Sequence, residues 1–162
     1  MHSSSQRPER GFTLIELVVT VTIVGLLATL AIPSMRKLIE TQYVRSGAND
    51  LQTTLFFARS EAIKRAINVS VVPTGGKWTG GWTVQLPDET VLRKQAALSS
   101  NLAAVTGSTI TYQVNGRVTA LPSAIKFETS DASLPARCVK VDLSGRPSVV
   151  YDTDGNNANG CT

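Results

Sequence analysis

The feature that most constrains this chain is an apolar run close to its N-terminus. Residues 12–32 carry a single charged side chain, that of Glu16. A helix of this length spans about 31 Å at a rise of about 1.5 Å per residue, which matches the hydrocarbon core of a bilayer. The run is longer than the apolar core of a signal peptide, which has about 7–15 residues. Because no small-x-small cleavage site follows the run, the sequence predicts a retained transmembrane helix over residues 12–33.

The single acid in this run requires an explanation, because a carboxylate at the centre of a membrane helix costs about 2.5–3.5 kcal/mol on insertion scales. One interpretation is that Glu16, which lies one turn inside the run, reaches the lipid headgroups. The other is that Glu16 pairs with a cation, which offsets the burial of both charges. Basic residues flank the run on both sides, so they leave the orientation of the helix open.

Length and composition narrow the function classes. A chain of 162 residues fits one globular domain plus an extension. The net charge of +4 permits binding to nucleic acid or anionic lipid and requires neither. The only histidine is His2, so a chain without its leader has no histidine to act as a general base or metal ligand. With no nucleophile–base pair, phosphate loop or metal cluster in the sequence, we expect neither catalysis nor a cofactor.

Two late cysteines, Cys138 and Cys161, are too few for a disulfide scaffold or a four-ligand zinc site. One structural bridge in an oxidising compartment is favoured over two free thiols. That bridge would put the C-terminal domain on the oxidising side of the membrane and leave the leader in the cytoplasm.

The tail before Cys161 contains a candidate calcium-binding loop, since Asp152, Asp154 and Asn156 have the spacing of oxygen ligands in such loops. The glycine comes too early for an EF-hand loop, however, and no bidentate Glu follows.

Helical spacing continues beyond Pro33, which should bend the helix because it removes a hydrogen bond and clashes with the preceding turn. Apolar residues recur at intervals of four and three, which predicts an amphipathic helix over residues 34–67. We expect Phe56, Ile63 and Ala66 to widen its buried face. The apolar stripe itself comprises Val44, Ala48, Leu51, Leu55, Ala58 and Ala62.

Residues 68–162 change to short alternating segments and predict a β-rich globular domain. One long helix followed by strands alone indicates an α+β fold, with an antiparallel sheet packed on the C-terminal half of the helix. Asn115-Gly116 predicts a two-residue hairpin turn, and residues 144–147 predict another turn. Trp82 is expected in the core, although Trp78 and Trp82 together are an alternative binding surface. The predicted strands are residues 68–72, 82–86, 91–95, 108–114, 125–129, 137–143 and 147–151.

Several of these segments resemble one family. "RGFTLIELVVTVTIVGLLATLAIP" is similar to the N-terminus of a type IV pilin or a type II secretion pseudopilin, with a basic leader ending in glycine and then Phe-Thr-Leu-x-Glu. The stretch Ala58–Ala62 resembles the end of the helix in the GspH/FimT subgroup. Trp78, Gly81 and Trp82 match the strand entry of that subgroup, and "NGRVT" and "SGRPS" resemble its two Gly-Arg turns.

The resemblance implies a type IV pilin fold and a processed N-terminus. A prepilin peptidase would remove leader residues 1–11 by cutting between Gly11 and Phe12, and Phe12 would then be N-methylated. Glu16 would be the counter-charge of the new amine, and Pro33 the helix-kinking proline. The protein would cross the bacterial inner membrane once, with a periplasmic domain, and other pilins or pseudopilins would be its partners.

The resemblance leaves more than one role open. A minor type IV pilin that acts in pilus assembly or initiation is the first, and a minor pseudopilin of type II secretion is the alternative. The least favoured is a minor pilin that binds DNA for transformation, with Arg117 and Arg146 as phosphate contacts. For that role the chain departs from the Gly-Arg-x-Arg pattern of such pilins, because Pro147 and Ser148 follow Arg146.

Overall fold

The computed structural model describes residues 12–103, 105–131 and 133–152, apart from the side chain of Leu30. It divides into two compact units, with the boundary between Lys37 and Leu38. The predictions for Gly11 and Cys161, and the two calcium ligands proposed at positions 154 and 156, lie outside the described residues.

A single helix, α1 (Leu14–Arg65), begins in the first unit and ends in the second. The Thr13 hydroxyl accepts a hydrogen bond from the Glu16 backbone N–H at 3.3 Å, which caps the first turn. The helix continues through Pro33, and the bend expected there stays a prediction. At the other end, Ala66 has a φ of 52° and donates its N–H to the Ile63 carbonyl at 3.4 Å. This left-handed residue ends the helix one turn before the strands begin.

The part of α1 in the first unit exposes its apolar side chains. Leu14 is 82% exposed and Leu27 is 61% exposed, and the helix is long and apolar enough to cross a membrane. Its threonine hydroxyls need no solvent, because Thr20 and Thr22 donate to the carbonyls of Leu17 and Val18 at 2.8 Å. Hydroxyls satisfied within the helix suit a surrounding of lipid or other apolar helices.

Seven strands of the second unit, all within the described residues, form two antiparallel sheets. The α+β prediction and all seven predicted strand segments are confirmed. The order is β3-β2-β1-β4 in the first sheet and β5-β6-β7 in the second. The strands are β1 (Val69–Pro73), β2 (Trp82–Gln85), β3 (Val91–Gln95), β4 (Ile110–Tyr112), β5 (Ile125–Phe127), β6 (Arg137–Val141) and β7 (Pro147–Tyr151).

The expectation of one sheet is wrong, and the edge of β4 explains why. The chain turns back after β4, so that Tyr112 pairs with Val118 and the Thr119 N–H donates to the Thr111 carbonyl at 3.1 Å. These hydrogen bonds occupy the edge that β5 would need to extend the first sheet. The chain therefore begins a second sheet at β5.

The core of the second unit lies between α1 and the strands. The predicted apolar stripe of the helix is buried in full and belongs to one cluster with side chains of both sheets, among them Val71, Phe127 and Val139. Trp82 donates its indole N–H to the Thr54 hydroxyl at 3.1 Å. Trp78 and Trp82 are both fully buried, and their rings meet edge to face at 6.1 Å. The core assignment of Trp82 is confirmed, and the alternative of a tryptophan binding surface is wrong.

The expected widening of the helix's buried face is wrong at all three positions. Phe56 is 44% exposed and Ile63 is 51% exposed, and Ala66 is the exposed residue that ends the helix. Phe56 and Ile63 each follow a buried stripe residue by one position. One position is about 100° around a helix, which carries both side chains to the border of the packed face.

Substituting the buried stripe tests this packing. We expect Leu51→Ala to lower the free energy of unfolding by about 2–5 kcal/mol, because Leu51 is fully buried and leaves a cavity. Phe56→Ala is the matched control on the same helix and should cost under about 1.5 kcal/mol. Urea unfolding of the detergent-solubilised protein, followed by tryptophan fluorescence, reports on this unit because both tryptophans lie in its core. Equal losses for the two variants would contradict the packing described.

Candidate functional site: two paired glycine-arginine hairpins

The first of the two Gly-Arg segments forms a tight hairpin over residues 113–117. The Gly116 N–H donates to the Gln113 carbonyl and the Gln113 N–H donates to the Arg117 carbonyl, each at 2.8 Å. Gly116 has a φ of +76°, as the last loop residue of a three-residue hairpin requires. The predicted two-residue turn is wrong. It would need a positive φ at Asn115, whereas among the described residues only two non-glycine positions, 66 and 89, have one.

The second Gly-Arg segment repeats this geometry over residues 142–146. The Gly145 N–H donates to the Asp142 carbonyl at 2.9 Å, and the Asp142 N–H donates to the Arg146 carbonyl at 3.2 Å. The Asp142 carboxylate also accepts from the Ser144 hydroxyl and, at 3.0 Å, from the Arg146 backbone N–H. These two hydrogen bonds hold the pKa of Asp142 below its ordinary value, and the bond from Ser144 has the larger effect. The nearby Arg146 charge lowers that pKa further.

The two hairpins meet each other at their glycines, against the end of α1. A methyl group added to Gly145 would lie 2.0 Å from the Gly116 carbonyl oxygen and 3.0 Å from the Tyr112 ring. That same oxygen accepts a hydrogen bond from the Arg59 Nε at 3.1 Å. A methyl group on Gly116 would lie 2.7 Å from the Ile63 side chain. We refer to Arg59, Tyr112, Gly116 and Gly145 as the glycine junction.

The glycine junction explains why these motifs occur in one sequence. Arg59 comes from the Ala58–Ala62 stretch at the end of the helix, and the glycines come from the two turns. Tyr112 supplies a buried, neutral spacer: burial raises the pKa of its hydroxyl far above the ordinary range, the Arg59 charge opposes this, and Asp142 adds to it. Sequence reasoning singled out the segments and missed their contact, because no residue pattern states which turns touch.

Beyond the junction, each hairpin presents one arginine and one aliphatic side chain to solvent. Arg117 and Arg146 are exposed, and within the described part of the chain neither forms an ion pair. Val114 and Leu143 occupy equivalent loop positions and are 49% and 52% exposed. We call Val114, Arg117, Leu143 and Arg146 the hairpin tips. The tips combine cationic and apolar surface, which suits recognition of an acidic partner.

Asp152, considered above as a calcium ligand, forms an ion pair with a lysine. Its buried carboxylate lies 2.7 Å from the Lys126 Nζ, and Glu128 lies 3.4 Å from the same nitrogen. Burial alone would lower the pKa of Lys126, but the hydrogen bond to Asp152 and the Glu128 charge outweigh it and raise that pKa. In the described residues no group of three or more metal-ligating side chains is found. Asp152 is thus a structural contact between the end of β7 and β5.

The remaining predicted site residues lie apart from the hairpins. Phe12 and Glu16 are exposed at the start of α1, where cleavage and charge pairing stay predictions. Cys138 is fully buried in β6. Because its expected partner is Cys161, the disulfide also stays a prediction.

Comparison with known proteins decides the family. The family model described as type II transport protein GspH matches residues 47–145, which include every residue of the glycine junction. The chain belongs to the GspH family. The predicted subgroup is thereby confirmed, and a second model, the prokaryotic N-terminal methylation motif, matches residues 6–32. No curated protein sequence matches the chain.

Solved structures show the fold of this GspH-family chain. Two crystal forms of the type IV minor pilin FimU from Pseudomonas aeruginosa strain PAO1 are similar to it, each at 20% sequence identity. The first has a TM-score of 0.57 and covers 69% of this chain and 91% of FimU. The second has a TM-score of 0.54 and covers 65% and 90%. The predicted type IV pilin fold is confirmed.

Substituting Gly145 tests the glycine junction. We expect Gly145→Ala to lower the free energy of unfolding by at least about 3 kcal/mol, because it adds a close contact with the Gly116 carbonyl to the strain of a positive φ. Gly75→Ala is the matched control, since Gly75 also has a positive φ and a methyl group there meets nothing within 4 Å. Its cost should be about 1–2 kcal/mol. Equal urea midpoints for the two variants would refute the close approach of the hairpins.

The Asp142 carboxylate predicts a pH dependence. A carboxyl whose folded pKa is lowered contributes stability that is present above its unfolded value of 3.8 and is lost as the pH falls through the folded pKa. Wild type should therefore be more stable than Asp142→Asn at pH 6, and the two should converge below pH 3.8. Urea unfolding of both proteins from pH 7 to pH 2.5 measures the gap. A gap that stayed constant over this range would argue against the role of the ionised carboxylate.

Proposed function

We propose that this GspH-family protein is a minor type IV pilin that takes part in the assembly or initiation of a pilus. The observation that carries the proposal is that one continuous helix joins an exposed apolar segment to a folded domain. Family membership and the fold shared with FimU support it. The role is structural, so we expect no enzymatic activity and no cofactor.

The exposed segment of α1 would act first as an anchor and then as an assembly element. In the bacterial inner membrane its apolar side chains would contact lipid, with the globular domain in the periplasm. On leaving the membrane they need another apolar surface, and the equivalent helices of neighbouring subunits supply one. Other pilins are therefore the proposed partners, and prepilin peptidase is the proposed processing enzyme.

The charge on Glu16 fits this transfer. Cleavage after Gly11 would create an amine on Phe12. This residue lies outside α1, because Thr13 caps the helix and Leu14 is the first helical residue. A cation next to a helix N-terminus is unfavourable, and an acid in the first turn is favourable. Glu16 would therefore offset both the amine and the helix dipole, and a paired charge is less costly to bury than an unpaired one.

A minor pseudopilin of the type II secretion system is the second candidate. The description of the matched family, a type II transport protein, favours it. The N-terminal chemistry would be the same in both systems, and the fibre that the subunit enters would differ.

Processing and location test the proposal together. In a pilus-bearing host that has prepilin peptidase, mass spectrometry should find the mature chain beginning at an N-methylated Phe12, and sheared surface fibres should contain the protein. Deleting the pilus genes should remove it from the sheared fraction, whereas deleting the secretion genes should not. The reverse pattern would identify a pseudopilin, and retention of residues 1–11 would exclude both roles.

A substitution at Glu16 tests the pairing. We expect Glu16→Ala to insert into the membrane at least as well as wild type, because the cost of a carboxylate in the apolar run is removed. Its recovery in sheared fibres should fall at least about tenfold, which corresponds to about 1.4 kcal/mol. Glu40→Ala on the same helix is the control and should assemble normally. Normal incorporation of Glu16→Ala would contradict the pairing.

A further inference from the structure

We propose that the hairpin tips, together with Ile63, form the surface on which this subunit docks the globular domain of a neighbouring pilin-class subunit, through an acidic turn flanked by aliphatic side chains. The inference rests on the proposed function, because it requires subunits held side by side in a fibre. It adds the place and the chemistry of the lateral contact.

The apolar part of the surface is built in duplicate. Val114 and Leu143 stand at equivalent positions of two hairpins with the same hydrogen-bond pattern, and each is about half exposed. Ile63 is also half exposed and lies against Gly116. Apolar side chains held together in water gain free energy when a partner covers them.

The charged part of the surface favours a partner that carries negative charge. The Arg59 guanidinium is used within the domain, because its Nε donates to the Gly116 carbonyl. The guanidiniums of Arg117 and Arg146 have no carboxylate within ion-pair distance in the described chain. The one acid on these hairpins, Asp142, already accepts two hydrogen bonds within its own turn. Carboxylates on a partner would form ion pairs with the two arginines, and such charge complementarity sets the specificity and register of an interface.

The surface is held in place before any partner arrives. In the glycine junction the backbones of Gly116 and Gly145 lie against each other, and the Arg59 side chain links this contact to α1 by its hydrogen bond to the Gly116 carbonyl. Docking would therefore order few groups, which keeps the entropic cost of association low.

The domain itself displays the complementary chemistry at the same end of its first sheet. Ser70 of β1 pairs with Gln85 at the end of β2, and Val69 pairs with Tyr112 at the end of β4. The β2–β3 turn and the first hairpin therefore leave the sheet at the same end, and they lie on opposite sides of β1. The β2–β3 turn carries Asp88 and Glu89, and the exposed Val91 follows it. Subunits anchored in one membrane share one orientation, so a basic tip on one side can face an acidic turn on the next subunit. Contacts of this heterologous type propagate along a fibre.

A protein partner fits these residues better than DNA does. Phosphate contacts would use the two arginines and gain nothing from Val114 or Leu143.

Photo-crosslinking of the full-length protein in pilus-bearing cells tests the inference. A benzophenone amino acid at Leu143 should give adducts with a pilin-class subunit, identified by its N-methylated first residue, and mass spectrometry should locate the crosslink at or near an acidic turn. The same probe at exposed Ser100 is the control and should not give this adduct. Adducts with DNA, with proteins of another class, or no adduct at Leu143 would overturn the inference.

Charge reversal gives an independent readout. Arg117→Glu combined with Arg146→Glu should reduce the adduct and the recovery in sheared fibres at least tenfold. Lys77→Glu combined with Lys94→Glu makes the same change in net charge at other exposed positions and should leave both unchanged. Equal urea midpoints would confirm that both variants are folded. If wild type is absent from fibres, the proposed function fails; if wild type is present and charge reversal has no effect, only this inference fails.

Discussion

The rest of the structure depends on one helix that has to satisfy two surroundings. In the first unit, α1 exposes apolar side chains on every side and satisfies its threonine hydroxyls internally. In the second unit, the same helix has a single apolar stripe, which is fully buried against strands of both sheets. A fully apolar surface suits lipid or other helices, whereas a stripe suits one packed face. The pattern of apolar residues thus changes within one helix, from a fully apolar surface in the first unit to a single stripe in the second.

The glycine junction is the second constraint, and it converts sequence motifs into a rigid surface. Two hairpins separated along the chain approach so closely that only glycine fits at their contact, and Arg59 joins that contact to the helix. The side chains before and after each glycine are then left on the outside. In this arrangement the glycines and Arg59 serve the stability of the domain, while the neighbouring arginines and aliphatic residues are available for recognition.

The sequence predicted the features that depend on periodicity, but it missed the width of the helix's buried face, the length of one turn and the contact between the two hairpins. The spacing of apolar residues predicts the helix stripe from Val44 to Ala62 and the seven strands. It also predicts the burial of Trp82. Phe56 and Ile63 are apolar yet exposed, because one step along the helix moves a side chain off the packed face. The turn at Asn115-Gly116 has three loop residues, because the Asn115 side chain accepts the Arg117 N–H at 3.0 Å and only the glycine needs a positive φ. The junction itself has no signature in any single segment.

The two proposed electrostatic contacts should differ in their sensitivity to salt, because one would be buried and the other exposed. A Glu16 carboxylate paired with a terminal amine inside an apolar bundle would be shielded from mobile ions, so salt would weaken it little. The arginines of the hairpin tips are exposed before docking, and charges at such a periphery are screened over about 8 Å at physiological ionic strength. Salt should therefore loosen contacts between globular domains while the helical bundle stays associated. An assembly with a salt-insensitive centre and a salt-sensitive rim can exchange its lateral partners without losing its core.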